Sequence, residues 1–249
     1  MTYAIIAYVE PCPKTNSLPR ASITPTAEMA IALLMAAAKL LVPIDRDLRR
    51  GDWTSRYVVT DATMLDGKTA LILGYGAIGR RVAAGCRALG MSTLATRRRL
   101  SAPEMDEGTE VHPPAALPDL LPRADALIIC LPHTPQTDGL IGAAEMALLP
   151  SPSILVNIGR GRIVDEAALY ASLRDGRLRA AGLDVWYSYP PDEAARADWP
   201  PSAYPFHELD NVIMSPHRGG AADETARLRM TALAEMLNDA AAGREMGNG

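Results

Sequence analysis

The chain has 249 residues, 48% of them hydrophobic, with three cysteines and a formal charge of −4 at neutral pH. That length and apolar content suffice for one full domain and part of a second, and the weak acidity leaves no electrostatic footprint for nucleic acid. Cys12, Cys86 and Cys130 are too few for a disulfide framework or a metal site. No N-terminal segment joins a basic to a long apolar region, and the longest apolar stretch, Met29 to Val42, is short for a membrane span and contains Lys39, so a soluble cytoplasmic protein is expected.

At the N-terminus, Tyr3–Val9 has the composition of a strand, and Pro11, Pro13 and Pro19 exclude much regular structure after it. Thr24-Pro25-Thr26-Ala27-Glu28 reads as a helix start. The helix should run to about Leu41, with Met29, Leu33, Leu34, Ala37 and Leu40 on an apolar face that serves either the core or a dimer contact. Arg46, Arg49, Arg50 and Gly51-Asp52-Trp53 then read as a polar connection.

The next stretch organises the rest. Thr69–Leu73 reads as a short apolar strand that ends in Gly74-Tyr75-Gly76-Ala77-Ile78-Gly79, a G-x-G-x-x-G that passes directly into a helix expected over Ala77–Leu89. Gly74 suits the tight turn, Gly76 a close approach of backbone to a pyrophosphate, and Gly79 the packing of helix on strand. The N–H groups of the first helical turn, at Ala77 and Ile78, would face the anion. A second strand is expected over Ser92–Thr96, then a proline-rich loop through Pro113 and Pro114 and a short helix near Leu117–Leu121. Strands over Ala126–Leu131, Ile154–Asn157 and Ala180–Val185 alternate with helices over Ala143–Leu149 and Glu166–Asp175. A loop over Asp192–Pro205, a strand at Asn211–Met214 and a helix from Ala222 to Ala241 follow, and Gly243–Gly249 is expected to fray. Apolar runs separated by amphipathic helices mean parallel strands buried on both faces, hence an α/β doubly wound sheet of the Rossmann type.

Four more segments complete a pattern: Leu131-Pro132-His133-Thr134-Pro135-Gln136-Thr137, Asn157-Ile158-Gly159-Arg160-Gly161, Gly182-Leu183-Asp184-Val185-Trp186 and Ser215-Pro216-His217-Arg218-Gly219-Gly220. In this order after the glycine fingerprint, over roughly Ile23 to Met236, the chain resembles the D-isomer-specific 2-hydroxyacid dehydrogenases. That family includes phosphoglycerate, D-lactate, glyoxylate/hydroxypyruvate and formate enzymes. The resemblance implies hydride transfer between a nicotinamide cofactor and a small 2-hydroxy or 2-oxo acid. Arg160 would be the cation that grips the acid's carboxylate and carbonyl oxygen, and His217 the acid that protonates the developing alkoxide. It also places Leu131, Pro132, Thr137, Ile158, Gly159, Arg160, Asp184, His217 and Gly219 along the cofactor. A homodimer is the family expectation.

Three features depart from the family pattern. Tyr189 stands where members commonly carry a glutamate that holds the histidine and raises its pKa, so His217 should be a poorer acid at neutral pH; Glu193 or Glu208 could replace that carboxylate in space. Arg97, followed by Arg98, takes the position at the end of the second strand where an acidic residue would bind the ribose of NAD, which favours NADP over NAD. Lastly, family members enter the nucleotide domain after a substrate domain, of which residues 1–22 would be a remnant, with 23–216 the dinucleotide-binding domain and 217–249 the helix returning to the substrate domain. Trp186, Tyr187 and Trp199 hint at an aromatic wall for the substrate. A non-catalytic, dimeric dinucleotide-binding module built on the Met29–Leu41 helix, or a truncated inactive relative, is the competing reading.

Overall fold

The computed structural model describes residues 20–58 and 62–242. The strand expected over 3–9, the proline-interrupted run after it and the tail 243–249 lie outside the described residues. Strands β1 (Thr69–Leu73), β2 (Ser92–Thr96), β3 (Glu104–Asp106), β4 (Thr109–His112), β5 (Ala126–Ile129), β6 (Ser153–Asn157), β7 (Leu178–Leu183) and β8 (Val212–Met214) form one sheet in the order β3-β4-β2-β1-β5-β6-β7-β8. Every pairing is parallel except β3 with β4. The chain winds outward from β1 through β2 to β4, returns to β5, and winds the other way to β8. The crevice between β1 and β5 is therefore the topological switch point, where ligands bind in open α/β sheets.

Both faces of the sheet are buried, which is why its strands read as near-continuous apolar runs. Along β1, Leu71 and Leu73 face one core with Leu127, Leu155 and Leu183, closed by Met146 of α5 (Ala143–Leu148) and by Leu169 and Leu173 of α6 (Glu166–Arg174). Ala70 and Ile72 face the other with Ile128 and Val156. That core is closed by Val82, Ala83 and Cys86 of α3 (Ala77–Ala88) and by Ala30, Leu33, Leu34 and Ala37 of α1 (Arg20–Ala38). The short α4 (Leu117–Leu120) and the long α7 (Asp223–Ala241) complete the set after α2 (Leu41–Arg49).

Three expectations need correction. The first helix begins at Arg20, not Thr24, and runs through Pro25. Proline there removes the bond to the Ala21 carbonyl, and the buried residues Ala21, Ala27 and Ala30 hold the turn regardless. Leu33 and Leu34 are 3% and 0% exposed, so the centre of α1 packs into the core, while Met29 and Leu40 of the same expected face are half-buried. Its window Ala21–Ala38 is also long and apolar enough to cross a membrane, which a count from Met29 misses; here the sheet and α3 cover its apolar face. Second, the polar connection is the helix α2, entered through Leu40 in the left-handed region (φ 54°). Pro43 lies in its first turn, where it is tolerated, and Arg46 pairs with Asp210 near β8 while Arg49 pairs with Asp45 one turn back. Third, the proline-rich loop contains the β3–β4 hairpin, closed by Glu107 and Gly108 with φ of 49° and 78°, the signature of a type I′ turn.

Candidate active site

Each segment singled out by the sequence lies just beyond the carboxyl end of a strand: residues 74–76 after β1, Arg97 after β2, 131–137 after β5, 158–160 after β6, 184–189 after β7 and 215–219 after β8. Parallel strands put all six loops on one edge of the sheet.

At the switch point the three fingerprint glycines have separate structural duties. Gly74 has φ 98°, and its N–H and that of Tyr75 donate to the Thr96 carbonyl at 3.2 and 2.9 Å, which seats the turn against the end of β2. A Cβ at Gly79 would lie 2.1 Å from the Gly74 carbonyl oxygen, so only glycine lets α3 approach the strand this closely. A Cβ at Gly76 would meet nothing within 4 Å. Gly76 and Ala77 are exposed. The start of α3 thus offers its unpaired N–H groups to open space. That combination fits a dinucleotide pyrophosphate.

Beyond it, Ile78, Ile158, Arg160, Asp184 and His217 line a single cleft of about 610 Å³. The arginine and the histidine expected to do chemistry therefore share one cavity with the first turn of α3. Asn157 braces the arginine loop at both ends, accepting the Gly159 N–H on Oδ1 and donating from Nδ2 to the Arg160 carbonyl, each at 3.0 Å. Arg160 donates to the Gly159 carbonyl at 2.7 Å and is otherwise exposed to the cleft.

The histidine loop is fastened from below. Asp184, 1% exposed, accepts from the Ser215 hydroxyl at 2.5 Å and from the N–H groups of Arg218 and Gly219 at 2.9 and 2.8 Å. A Cβ at Gly219 would sit 2.6 Å from that carboxylate, so the loop can close on it only with glycine there. Pinned on both sides, His217 takes φ 58°, in the left-handed region. Asp184, expected along the cofactor, lines the cleft, and its carboxylate holds the loop that carries His217.

Tyr189 does stand beside His217, ring centroids 5.6 Å apart and tilted by 54°, while its hydroxyl accepts the Trp186 N–H at 3.0 Å. Neither glutamate offered as a replacement serves: Glu193 pairs with Arg196 and Glu208 lies beside His207. Partial burial and the positive charge of Arg160 hold the His217 pKa below its ordinary value, opposed only in part by Asp184.

Other residues take different places. Thr137 uses its hydroxyl within its own loop, donating to the Pro132 carbonyl at 2.9 Å and accepting the Thr134 N–H at 2.8 Å, and Leu131 packs partly against the core. Trp186 and Tyr187 are turned into the protein, their ring donors bonded to the Ser215 and Val164 carbonyls, so they form no substrate wall. Trp199 lies in a separate surface cavity. Arg98 is exposed, whereas Arg97 is already engaged by Glu104 and Asp106. Sequence reasoning missed those two carboxylates and the cleft residues Ser22 and Arg229, and it read Thr26 only as part of a helix start. Burial pushes the Cys86 thiol up to about 12 and Cys130 higher still, so neither is a reactive thiolate.

Residues 31–219 match the family model described as D-isomer specific 2-hydroxyacid dehydrogenase, NAD binding domain. A glyoxylate reductase of Aeropyrum pernix is 40% identical over 215 residues, covering 84% of this chain and 60% of that protein. The D-lactate dehydrogenase of Lactobacillus jensenii, solved with NAD+, superposes with a TM-score of 0.78 at 26% identity, covering 91% of this chain and 68% of that one. A D-isomer specific 2-hydroxyacid dehydrogenase of Xanthobacter autotrophicus, solved with NADPH and MES, gives 0.72 at 28% identity, covering 92% and 88%. The chain spans about half the length of the curated relatives it matches, 39% of one D-3-phosphoglycerate dehydrogenase and 60% of the glyoxylate reductase. Fingerprint, cleft and extended sequence match agree, and the chain belongs to the D-isomer specific 2-hydroxyacid dehydrogenase family.

Proposed function

We propose that this chain binds a nicotinamide dinucleotide, NADP in preference to NAD, and serves hydride transfer between it and a small 2-hydroxy or 2-oxo acid of the glyoxylate or hydroxypyruvate type. The observation that carries the reading is the meeting of Arg160 and His217 in one cleft with Ile78 of the fingerprint helix. Gly76, Ala77 and Ile78 would hold the pyrophosphate, and Arg97 and Arg98 the 2′-phosphate. When bound, the reduced nicotinamide supplies the hydride. Arg160 binds the carboxylate of the oxo acid through its guanidinium fork and draws charge toward the carbonyl oxygen. His217 donates a proton to that oxygen as it becomes an alkoxide. Asp184 keeps the histidine loop in register with Arg160. A homodimer is the assembly expected for the family.

The test is a titration of the 249-residue chain with NADPH and NADH, followed by nicotinamide fluorescence, and then addition of glyoxylate or hydroxypyruvate while absorbance is recorded. His217→Asn should bind NADPH as wild type does and lose turnover by about a hundredfold or more. Unchanged turnover in that variant would overturn the assignment. A second reading, a dinucleotide-binding module without efficient turnover, is favoured by one feature, the ring of Tyr189 where the family commonly has a carboxylate beside the histidine. Tight binding with no turnover on either acid would establish it.

A further inference from the structure

The β3–β4 hairpin brings two carboxylates to the end of β2, and they are held differently. Asp106 is engaged on both oxygens: Oδ1 accepts from Arg80 at 2.7 Å and Oδ2 from Arg97 at 3.1 Å. Its backbone carbonyl also accepts the Tyr75 hydroxyl at 3.0 Å, and the Arg80 guanidinium lies 4.7 Å from the centre of the Tyr75 ring. Asp106 is thus locked to the fingerprint itself, through the residue between Gly74 and Gly76. Glu104, by contrast, reaches across to the other arm of the Arg97 guanidinium, and among the described residues this is its only side-chain hydrogen bond. Its side chain is 43% exposed against 19% for Asp106.

Arg97 follows Thr96, whose carbonyl receives the Gly74 and Tyr75 N–H groups. It stands 21 positions after Gly76, in the place where a Rossmann chain meets the adenosine ribose. A guanidinium presents its donors in a rigid fork. With Asp106 on one arm, the second arm is the one a ribose 2′-phosphate can take, and Glu104 already occupies it.

We propose that Glu104 is a cofactor-selecting residue: its carboxylate stands in for the 2′-phosphate on Arg97, so that NADPH binds by displacing it while NADH leaves it in place, with Asp106 as the residue that positions Arg97. The proposal rests on the reading of residues 74–79 as a dinucleotide site. A phosphate monoester carries more charge than a carboxylate and three acceptor oxygens, so it can win the exchange. Glu104 opposes it both by competing for the guanidinium and by like-charge repulsion. The side chain is long, exposed and singly tethered, as a displaceable group must be, and its contribution is that of a surface pair.

The experiment measures dissociation constants of NADPH and NADH for the full chain, as wild type, E104Q, R97Q and the R97Q/E104Q double variant, at low and high potassium chloride. In E104Q the NADPH constant should fall about three- to fivefold while the NADH constant changes less than about twofold. The gap should narrow at high salt, because exposed charges are screened. In the R97Q background the E104Q effect should shrink to the residual like-charge repulsion, since most of it acts through Arg97. Binding of both dinucleotides with an unchanged NADPH/NADH ratio in E104Q overturns the proposal and leaves the site reading intact. An equal ratio shift by E104Q with and without Arg97 also overturns it, since the charge would then act at a distance. Failure of either dinucleotide to bind wild type overturns the site reading and the proposal with it.

Discussion

His217 illustrates how far a single residue's behaviour is set by its neighbours. A histidine that must donate a proton to an alkoxide is competent when charged, and both partial burial and Arg160 disfavour the charge. Reduction of a 2-oxo acid should therefore be fastest in acid. Its kcat/KM should fall as pH rises through a midpoint below the ordinary histidine value of about 6.5, in a profile recorded on the free enzyme. Tyr189→Glu returns a carboxylate to the face of the imidazole; the opposite charge should raise that midpoint on the order of one pH unit, and a profile that stays put would show that the ring position is not the one that matters. Asp184→Asn replaces a buried acceptor of three hydrogen bonds with a group that turns donors toward donors. It should lower unfolding free energy by about 2–3 kcal/mol in urea and reduce turnover more than NADPH affinity. The residue types at Arg160 and His217 were legible because a spaced motif carries them. The role of Asp184 was not, since nothing in the string Gly182-Leu183-Asp184 says whether its carboxylate faces a ligand or a loop thirty residues on.

Among the elements, those with strong local signals matched their expected bounds: β1 and β2 are as read, and α3 ends one residue before the expected Leu89. The misreadings have different causes. In α1 a proline looked like the start of the helix, yet burial made it harmless, and in α2 the arginine-rich surface looked like a polar connection. In β3 and β4 the strands have three and four residues with one aliphatic core residue, Val111, too little for period-two alternation to register. The close contact of α1 with β7 is a tertiary matter: a Cβ at Gly182 would stand 2.7 Å from that of Leu33. Leu33→Ala should accordingly cost about 2–4 kcal/mol, read as a lower urea midpoint with unchanged slope, while leaving the sedimentation coefficient of the folded protein as it was. A change of assembly state in that variant would contradict the burial of α1 within one chain.

At the scale of the whole molecule, six strand ends deliver six loops to one edge, and a ligand that touches several of them should bind the folded chain only. NADPH at a hundred times its dissociation constant should then add about 2.7 kcal/mol to stability. For a chain of this size that corresponds to a rise of roughly 5–10 °C in Tm, against no rise with an equal concentration of ATP, which lacks the nicotinamide half. By itself the sequence determined the α/β class, the direction of the sheet and the location of the nucleotide turn. Those depend on local periodicity, on glycines that only particular turns require, and on motifs each written within a few neighbouring residues. Only the tertiary structure decided that Leu33 and Leu34 of α1 are core, that neither Glu193 nor Glu208 faces His217, and that Arg97 is claimed by two carboxylates from a hairpin. These are meetings between side chains far apart in the chain or on unmarked elements, and their outcome is set by packing and charge pairing once the strands are in register.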